Sequence, residues 1–275
     1  MKIEAHRLSG LGNIILIVDQ IRQAVSIEKK EIIRLVSEGI NDFDQIITIE
    51  PPEQKDIDLR ARIFNVDGSE AMNCINGARC LAKYVFDSNL LPQKEFTVST
   101  KGGIWRIKKK KTENYEVLIS TPDFNTEEEN ITASEPGKVN TLMIEGNEIE
   151  FYFVNLGNPH AVCLVDDIEQ FPLSAIGAKI QDHPFFPDGV NLGIAKITSR
   201  DSLDLRVFER GAGETMACGS GACAAVVIGK HVDLLNNKVQ VNFKNGSLEI
   251  DYDKNLGKLI ASGEANYLNK ETLEL

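Results

Sequence analysis

Two cysteines, Cys74 and Cys218, each introduce a short glycine-containing segment that leads into a run of helix-forming residues. Residues 74–78 read Cys-Ile-Asn-Gly-Ala, and residues 218–222 read Cys-Gly-Ser-Gly-Ala. The free backbone N–H groups at a helix start, together with the helix dipole, form an anion-binding turn. A thiol placed there is expected to have a lowered pKa and a larger thiolate fraction. The two segments therefore predict reactive thiols.

The two cysteine segments belong to a repeat that runs through the chain, at an offset of 144 or 145 residues. Three pairs of segments match in the same order: 11–13 with 156–158, 62–65 with 206–209, and 70–74 with 214–218. Several matches at nearly one offset indicate a tandem duplication that produced two similar lobes.

A pair of equivalent thiols suits the inversion of a stereocentre. Two similar lobes would present the thiols to opposite faces of one carbon, so that one thiolate removes the Cα proton and the other thiol donates a proton. The carbon acid is very weak, and two helix N-termini directed at a substrate carboxylate would stabilise the negative charge that develops.

The remaining cysteines, Cys80, Cys163 and Cys223, lie within predicted helices or strands and are interpreted as small hydrophobic residues. An odd total of five argues against a disulfide framework. The sequence has no Cys-x-x-Cys motif and no histidine pair at ligand spacing, so we expect no metal.

Composition narrows the class of protein. The 275 residues carry a net charge of −11, which disfavours nucleic acid and anionic membrane surfaces as partners. No apolar run approaches the roughly 18 residues of a membrane-spanning helix. The first ten residues lack the apolar core of a signal peptide. We expect a cytoplasmic protein.

The pattern of elements is mostly short strands, with one strong helix after each repeated cysteine. These helices are predicted over about 74–89 and 218–235, and a shorter amphipathic helix over 29–37. The second is apolar nearly all round, which is typical of a helix enclosed on every side. We therefore predict an α+β fold of two pseudo-symmetric lobes, each a curved, mostly antiparallel or mixed sheet wrapped around a central helix.

Ten short segments, spread over essentially the whole chain, together match the pattern of a known family: residues 10–13, 43–45, 64–70, 76–80, 157–162, 186–187, 191, 209–211, 213–215 and 217–223. Through these segments the chain resembles the diaminopimelate epimerase family. The resemblance implies a lobe at 1–120 that also takes the tail at about 263–275, and a second lobe at 121–262. It also implies epimerisation of LL- to meso-2,6-diaminopimelate for lysine and peptidoglycan precursor synthesis, without pyridoxal phosphate or another cofactor, in a homodimer.

The resemblance also implies roles for individual residues. Cys74 and Cys218 match the two catalytic bases, and His160 and Glu209 match positions that tune cysteine pKa values. Substrate ligands would be the side chains of Asn13, Gln45, Asn65, Asn158, Asn191, Glu209 and Arg210, and the backbone N–H groups of Ile75, Asn76, Gly219 and Ser220. His160 is equally compatible with a structural role.

Three positions depart from the family pattern: Ile75 replaces a glycine, Ile14 follows Asn13 where an aspartate is usual, and Gly189 replaces an arginine. They leave two alternatives open. The chain could be a related cofactor-independent racemase of another amino acid, or a catalytically weakened homologue that binds ligand. Because a β-branched residue at positive φ is an outlier, Ile75 is predicted to keep a helical or extended φ.

Overall fold

The computed structural model describes residues 2–110, 113–119, 121–124 and 137–274. The chain forms two compact units, one of Met1–Ile119 with Ser262–Leu275 and the other of Ser120–Ala261. The assignment of each unit to an epimerase lobe stays a prediction. The segment 121–136 is acidic and contains proline and asparagine, which predicts a connection between the lobes. It lies mostly outside the described residues. No helix in the described ranges is long and apolar enough to cross a membrane.

Four helices and seventeen strands make up the described chain. The helices are α1 (Lys29–Ser37), α2 (Ile75–Asp87), α3 (Leu173–Gln181) and α4 (Gly219–His231). The strands are β1 (Lys2–Gly10), β2 (Asn13–Asp19), β3 (Gln45–Glu50), β4 (Leu59–Asn65), β5 (Glu95–Thr100), β6 (Gly103–Lys109), β7 (Asn114–Ile119), β8 (Val139–Ile144), β9 (Asn147–Asn155), β10 (Pro159–Leu164), β11 (Asn191–Ser199), β12 (Ser202–Glu209), β13 (Gly213–Thr215), β14 (Lys238–Phe243), β15 (Gly246–Asp253), β16 (Lys258–Glu264) and β17 (Asn266–Glu274).

The sheet of the first unit curves around α2. Its strands pair in the order β17, β1, β2, β3, β4, β5, β6, β7, with parallel pairing at β2–β3 and β4–β5. Helix α2 packs against strands from both ends of this order, including β17, β1, β6 and β7. Its residues from Ile75 to Val85 are all buried. On the sheet's other face, α1 buries Ile32 and Leu35.

The second unit repeats this arrangement. Strands β8, β9, β10, β11, β12, β14 and β15 pair in that order, with parallel pairing at β10–β11 and β12–β14. Helix α4 packs against β9, β10, β11 and β15, and α3 takes the place of α1. In each unit, strands of mixed pairing surround a central helix, which confirms the predicted α+β fold.

Two helix predictions need correction. Helix α4 ends at His231 and not near Leu235, because Asp233 adopts a left-handed conformation (φ 59°) and the chain turns back. Helix α3 was not predicted, since Gly177 in its middle is a poor helix former. A Cβ at Gly177 would lie 2.4 Å from the ring of Phe208, so close packing on β12 requires glycine there.

Candidate active site

Cys74 is the N-cap residue of α2. It has extended backbone angles, and the Gly77 N–H donates to its Sγ at 3.2 Å. The thiol in turn lies 3.9 Å from the side-chain oxygen of Asn13. Cys74 is partly exposed, so that a reagent or substrate can reach it. A sulfur that accepts an N–H at a helix start is placed where the thiolate is stabilised.

The β1–β2 hairpin brings Asn13 to this thiol. Its two-residue turn, Leu11 (φ 57°) and Gly12 (φ 88°), has the positive φ values of a type I′ turn. Gly10 allows the close approach, because a Cβ there would lie 3.0 Å from the backbone oxygen of Asn76. The sequence predicted Asn13 as a substrate ligand, and the structure places it beside Cys74.

Gln45 and Asn65 are cross-strand neighbours on β3 and β4. The Gln45 Nε2 donates to Asn65 Oδ1 at 2.9 Å, and the Asn65 Nδ2 donates to Ser69 Oγ at 3.0 Å. Among the described residues, the buried Gln45 Oε1 has no hydrogen-bond partner. A buried acceptor of this kind normally has a donor, which a substrate ammonium can provide.

The first turn of α2 offers backbone donors to a ligand. The N–H groups of Ile75 and Asn76 lie at its first two positions, where an α-helix provides no internal acceptor. The Asn76 side chain is engaged elsewhere, since its Oδ1 accepts from Arg79 Nη2 at 2.8 Å. The family resemblance assigns the backbone N–H of Asn76, and not its side chain, to a substrate carboxylate, and this assignment stays a prediction.

Cys218 is the N-cap residue of α4, in the same arrangement as Cys74 on α2. The Gly221 N–H donates to its Sγ at 3.4 Å, and Ser220 Oγ lies 3.4 Å from the same sulfur. Gly219 and Ser220 open the helix, so their N–H groups take the positions that Ile75 and Asn76 hold in α2. Unlike Cys74, Cys218 is buried.

The expectation of a lowered pKa is wrong for Cys218. Burial, followed by the nearby Glu209 carboxylate, raises the pKa of the Cys218 thiol well above its ordinary value. These two effects outweigh the Ser220 hydroxyl and the Gly221 N–H, which act in the opposite direction. Cys218 therefore keeps its proton at neutral pH, as a proton donor must.

Glu209, Arg210 and Asn191 lie together where β12 ends and β11 begins. The Glu209 carboxylate accepts a hydrogen bond from Thr215 Oγ1. The Arg210 backbone N–H donates to Asn191 Oδ1 at 3.1 Å, and Asn191 Nδ2 donates to the Pro159 carbonyl at 3.0 Å. The Arg210 side chain is exposed, so its charge is available to an anionic ligand.

His160 and Asn158 form a second polar pair in this unit. His160 Nε2 lies 3.1 Å from Asn158 Oδ1. Burial, with a smaller contribution from the charge of Arg210, lowers the pKa of His160 to about 3. The imidazole is therefore neutral at pH 7, and any influence on a cysteine acts through hydrogen bonding and not through a positive charge. Its predicted tuning role stays a prediction.

Cys80, Cys163 and Cys223 are buried thiols that are not joined in disulfides. Burial raises the pKa values of Cys80 and Cys163 to about 12, and Cys223 lies inside α4. Such thiols are inert, which confirms their interpretation as small hydrophobic residues. In the part of the chain that the structure describes, no group of three His, Cys, Asp or Glu side chains is arranged to hold a metal ion.

Comparison with known proteins identifies the family. A sequence profile described as "Diaminopimelate epimerase" matches residues 7–124 and 152–268. The diaminopimelate epimerase of Nitrosomonas europaea is 40% identical over 279 residues, covering 100% of both chains. That of Pseudomonas syringae pathovar tomato is 39% identical over 254 residues and covers 92% of both. The chain belongs to the diaminopimelate epimerase family.

A similar fold occurs in a solved structure of low sequence identity. A crystal structure of a hydroxyproline epimerase from Agrobacterium vitis, with bound trans-4-hydroxy-L-proline, superposes with a TM-score of 0.73 at 10% identity. The match covers 100% of this chain and 93% of that one. At this identity the likeness establishes the fold alone.

The three departures from the family pattern are accommodated locally. Ile75 is the first residue of α2 and is not among the residues with positive φ, which confirms the predicted backbone. The backbone N–H of Ile14 donates to Asp44 Oδ2 at 2.6 Å. Gly189 has a φ of 71°, and a Cβ there would lie 2.8 Å from Gln181 Oε1 and 3.2 Å from the Arg210 side chain. Glycine at 189 therefore leaves room for both side chains.

Replacing Ile75 by glycine tests whether its side chain slows the reaction. The side chain is 3% exposed and directly follows Cys74, where α4 has Gly219. Excess bulk in a fitted site costs roughly 1–3 kcal/mol, so we expect kcat/KM for diaminopimelate to rise about tenfold. Ile32→Ala, which removes buried packing from α1, is the matched control and should lower Tm without raising kcat/KM. An Ile75→Gly variant no faster than wild type would show that the site is built around isoleucine.

Three contributing residues escaped the sequence prediction. Ser69 and Thr215 bind the side chains of Asn65 and Glu209, and the Trp105 Nε1 donates to Asn73 Oδ1, next to Cys74, at 2.9 Å. Ser69 and Thr215 lie in segments that carry the family resemblance, so their position was a usable signal. Trp105 lies on β6, far from Asn73 in sequence, and no local pattern identifies it.

Proposed function

We propose that Cys74 and Cys218 are the acid–base pair of a cofactor-independent epimerisation. The chain is an isomerase that interconverts LL- and meso-diaminopimelate in lysine biosynthesis, as its family membership establishes. The observation that carries the assignment of the pair is that each cysteine is the N-cap of a central helix, with its Sγ accepting an N–H from the residue three positions later.

The proton transfers follow from the different surroundings of the two thiols. Cys74, partly exposed and beside the neutral Asn13, acts as the thiolate that removes the Cα proton of one stereoisomer. Cys218, which is buried beside Glu209, holds the proton that is delivered to the opposite face of the carbon. After turnover Cys74 is the thiol and Cys218 the thiolate, and these roles serve the reverse reaction.

The charge that develops on the substrate is stabilised at the helix starts. When the Cα proton leaves, its electron pair delocalises into the adjacent carboxylate. The backbone N–H groups of Ile75, Asn76, Gly219 and Ser220 are fixed donors for those oxygens. Fixed donors directed at a developing charge need little reorganisation during the reaction, which is why they lower the barrier.

The far end of the substrate needs a separate set of ligands. We assign its ammonium to Glu209 and its carboxylate to Arg210, with Gln45, Asn65 and Asn191 as neutral partners that orient the chain. The exposed guanidinium of Arg210 and the unpartnered Gln45 Oε1 support this assignment. Asn158 and Asn13 would contact the reacting end.

Exchange of the Cα proton in D₂O tests the function. Candidate amino acids are incubated with the protein, and loss of the Cα signal is followed by NMR. Exchange with diaminopimelate alone is the expected result. Exchange with a different amino acid would favour a related racemase, and no exchange at all would favour a homologue that only binds ligand.

Oxidation is expected to inactivate the enzyme reversibly by joining Cys74 to Cys218. Two thiols that act on one carbon should lie close together when the substrate is absent. Hydrogen peroxide oxidises the Cys74 thiolate to a sulfenic acid, and the Cys218 sulfur then attacks that sulfur, forming the disulfide and releasing water. Mass spectrometry of the oxidised protein should find this linkage, and dithiothreitol should restore activity. Cys80→Ala should behave as wild type. Linkages that involve only other cysteines would contradict the proposed pair.

We propose a cytoplasmic homodimer that binds no nucleic acid, and the net charge of −11 supports the last point. Light scattering after size-exclusion chromatography measures the mass, and about 61 kDa, twice the chain mass of 30.4 kDa, is expected.

A further inference from the structure

An arginine–glutamate ion pair precedes each of the two N-cap cysteines at the same spacing. In the first unit Arg62 on β4 pairs with Glu70, and in the second Arg206 on β12 pairs with Glu214. Each glutamate lies four residues before the cysteine of its unit. Both pairs follow the 144-residue repeat, so the duplication has kept the contact as well as the residue types.

In the first unit, the ion pair also contacts the start of α1, the helix on the outer face of the sheet. Arg62 Nε and Nη2 donate to the two oxygens of Glu70 at 3.2 and 3.4 Å. Its Nη1 donates at 2.8 Å to Glu28, the N-cap residue of α1. The Arg62 side chain is 18% exposed, and its guanidinium lies over the ring of Phe64 at 4.7 Å. A two-pronged, partly buried pair of this kind is stronger than an ordinary surface ion pair.

The second unit reaches the same result with different partners. Arg206 Nε and Nη2 both donate to Glu214 Oε1, at 3.0 and 2.7 Å. Arg206 Nη1 donates at 3.1 Å to the carbonyl of Phe171, just before α3. Ser174, in the first turn of α3, donates to Glu214 Oε2 at 2.6 Å. In this unit the ion pair therefore connects β12, the segment before Cys218 and the start of α3.

Each ion pair stabilises a short antiparallel segment that leads to the cysteine of its unit. Residues 69–71 run antiparallel to 63–65, with only two backbone bonds of 2.8 and 2.9 Å, and Phe64 faces Glu70. Strand β13 pairs with the end of β12 in the same register, where Phe208 faces Glu214. Such short antiparallel pairings are only marginally stable by themselves, and a diagonal charge pair across the strands adds to their stability.

We propose that Arg62–Glu70 positions Cys74 and Arg206–Glu214 positions Cys218, each pair acting on the cysteine of its own unit. The inference rests on the proposed roles of the two cysteines. Its physical basis is that the hydrogen bond from Gly77 to Cys74 Sγ, at 3.2 Å, and that from Gly221 to Cys218 Sγ, at 3.4 Å, weaken steeply when the sulfur moves. Anchoring the chain four residues earlier limits that movement.

The test measures the alkylation rate of each cysteine separately. The folded full-length protein is treated with iodoacetamide at pH 8, and the modified cysteines are then quantified by peptide mass spectrometry. In Arg62→Met, Cys74 should react about fivefold more slowly, because its sulfur loses the N–H that stabilises the thiolate. In Arg206→Met, Cys218 also loses an N–H, but burial affects its pKa more than that hydrogen bond does. Loosening the segment relieves this burial, so Cys218 should react about fivefold faster. The other cysteine of each variant should stay within about twofold of wild type.

The matched controls lie in the same units. Arg60→Met, two residues earlier on β4 and paired with Glu50, and Arg200→Met, paired with Asp233, should change neither cysteine. Arg62→Lys should recover part of the Cys74 rate, since lysine keeps the charge but not the two-pronged contact. Glu70→Gln and Glu214→Gln repeat the test if a methionine variant fails to fold.

Two outcomes would overturn the inference: both cysteines responding together to either variant, or neither cysteine responding. The epimerase assay is read in parallel, where kcat should fall about tenfold with KM changed less than about twofold. A protein whose cysteines respond selectively but which epimerises nothing would refute the proposed function and leave this inference standing. An active epimerase with unselective responses would refute only the inference.

Discussion

Replacing Cys74 or Cys218 by alanine is expected to lower kcat for diaminopimelate by about 10⁴-fold, the upper range of a single acid–base group. Inversion needs both a proton acceptor and a proton donor, so loss of either thiol stops the cycle. The serine variants should be similarly inactive, because a hydroxyl is a far weaker acid than a thiol. Activity is measured in both directions, from LL- and from meso-diaminopimelate.

The control for this prediction is Cys80, which lies on the same helix as Cys74 and is fully buried. Cys80→Ala, together with Cys223→Ala on α4, should keep kcat within about threefold of wild type, at some cost in Tm from lost packing. A Cys74 or Cys218 variant that retains near-normal epimerisation would contradict the two-thiol mechanism.

Replacing Glu209 by glutamine is expected to lower kcat/KM by about 100-fold and to shift the reactivity of Cys218. Burial and then the Glu209 carboxylate raise the pKa of the Cys218 thiol. Removing the carboxylate lowers that pKa, so more thiolate is present at a given pH, and alkylation of Cys218 moves to lower pH. The loss of kcat/KM has two sources, since a premature thiolate is a poor proton donor and the substrate ammonium loses its counter-charge.

Glu169→Gln, an exposed substitution in the same unit, is the matched control and should alter neither quantity. The measurement is a pH series of alkylation, read separately for Cys74 and Cys218. If the Cys218 profile stays in place or moves to higher pH in Glu209→Gln, the carboxylate does not hold that thiol in its protonated form.

The repeat and the periodicity were sufficient to predict the elements that carry the chemistry. Helix α1 spans Lys29–Ser37 as predicted, and the central helices begin directly after Cys74 and Cys218. These predictions succeed because a helix start and an amphipathic face are local properties of the sequence. Helix α3 escaped because the need for Gly177 comes from the ring of Phe208, which is 31 residues later in the chain.

The electrostatics of the site were less predictable than its elements. A helix start predicts a lowered thiol pKa, but burial and Glu209 reverse that direction at Cys218. The neutral state of His160 likewise depends on complete burial, which its place after Pro159 does not reveal. Both effects come from side chains that tertiary packing brings near. The contacts of the Arg62–Glu70 and Arg206–Glu214 pairs also depend on tertiary packing. The repeat includes all four residues, but it does not show that they are in contact.

The fate of solvent deuterium at low conversion tests the two-base mechanism most directly. LL-diaminopimelate is incubated with the protein in D₂O. After a few per cent of turnover both stereoisomers are recovered, and the deuterium content of each is measured by mass spectrometry. A two-thiol mechanism predicts one deuterium at the inverted Cα of the meso product and almost none in the recovered LL substrate, because each face has its own acid. Deuterium appearing in recovered substrate as fast as in product, or product that keeps the original hydrogen, would show a single shared base and contradict the assignment of Cys74 and Cys218.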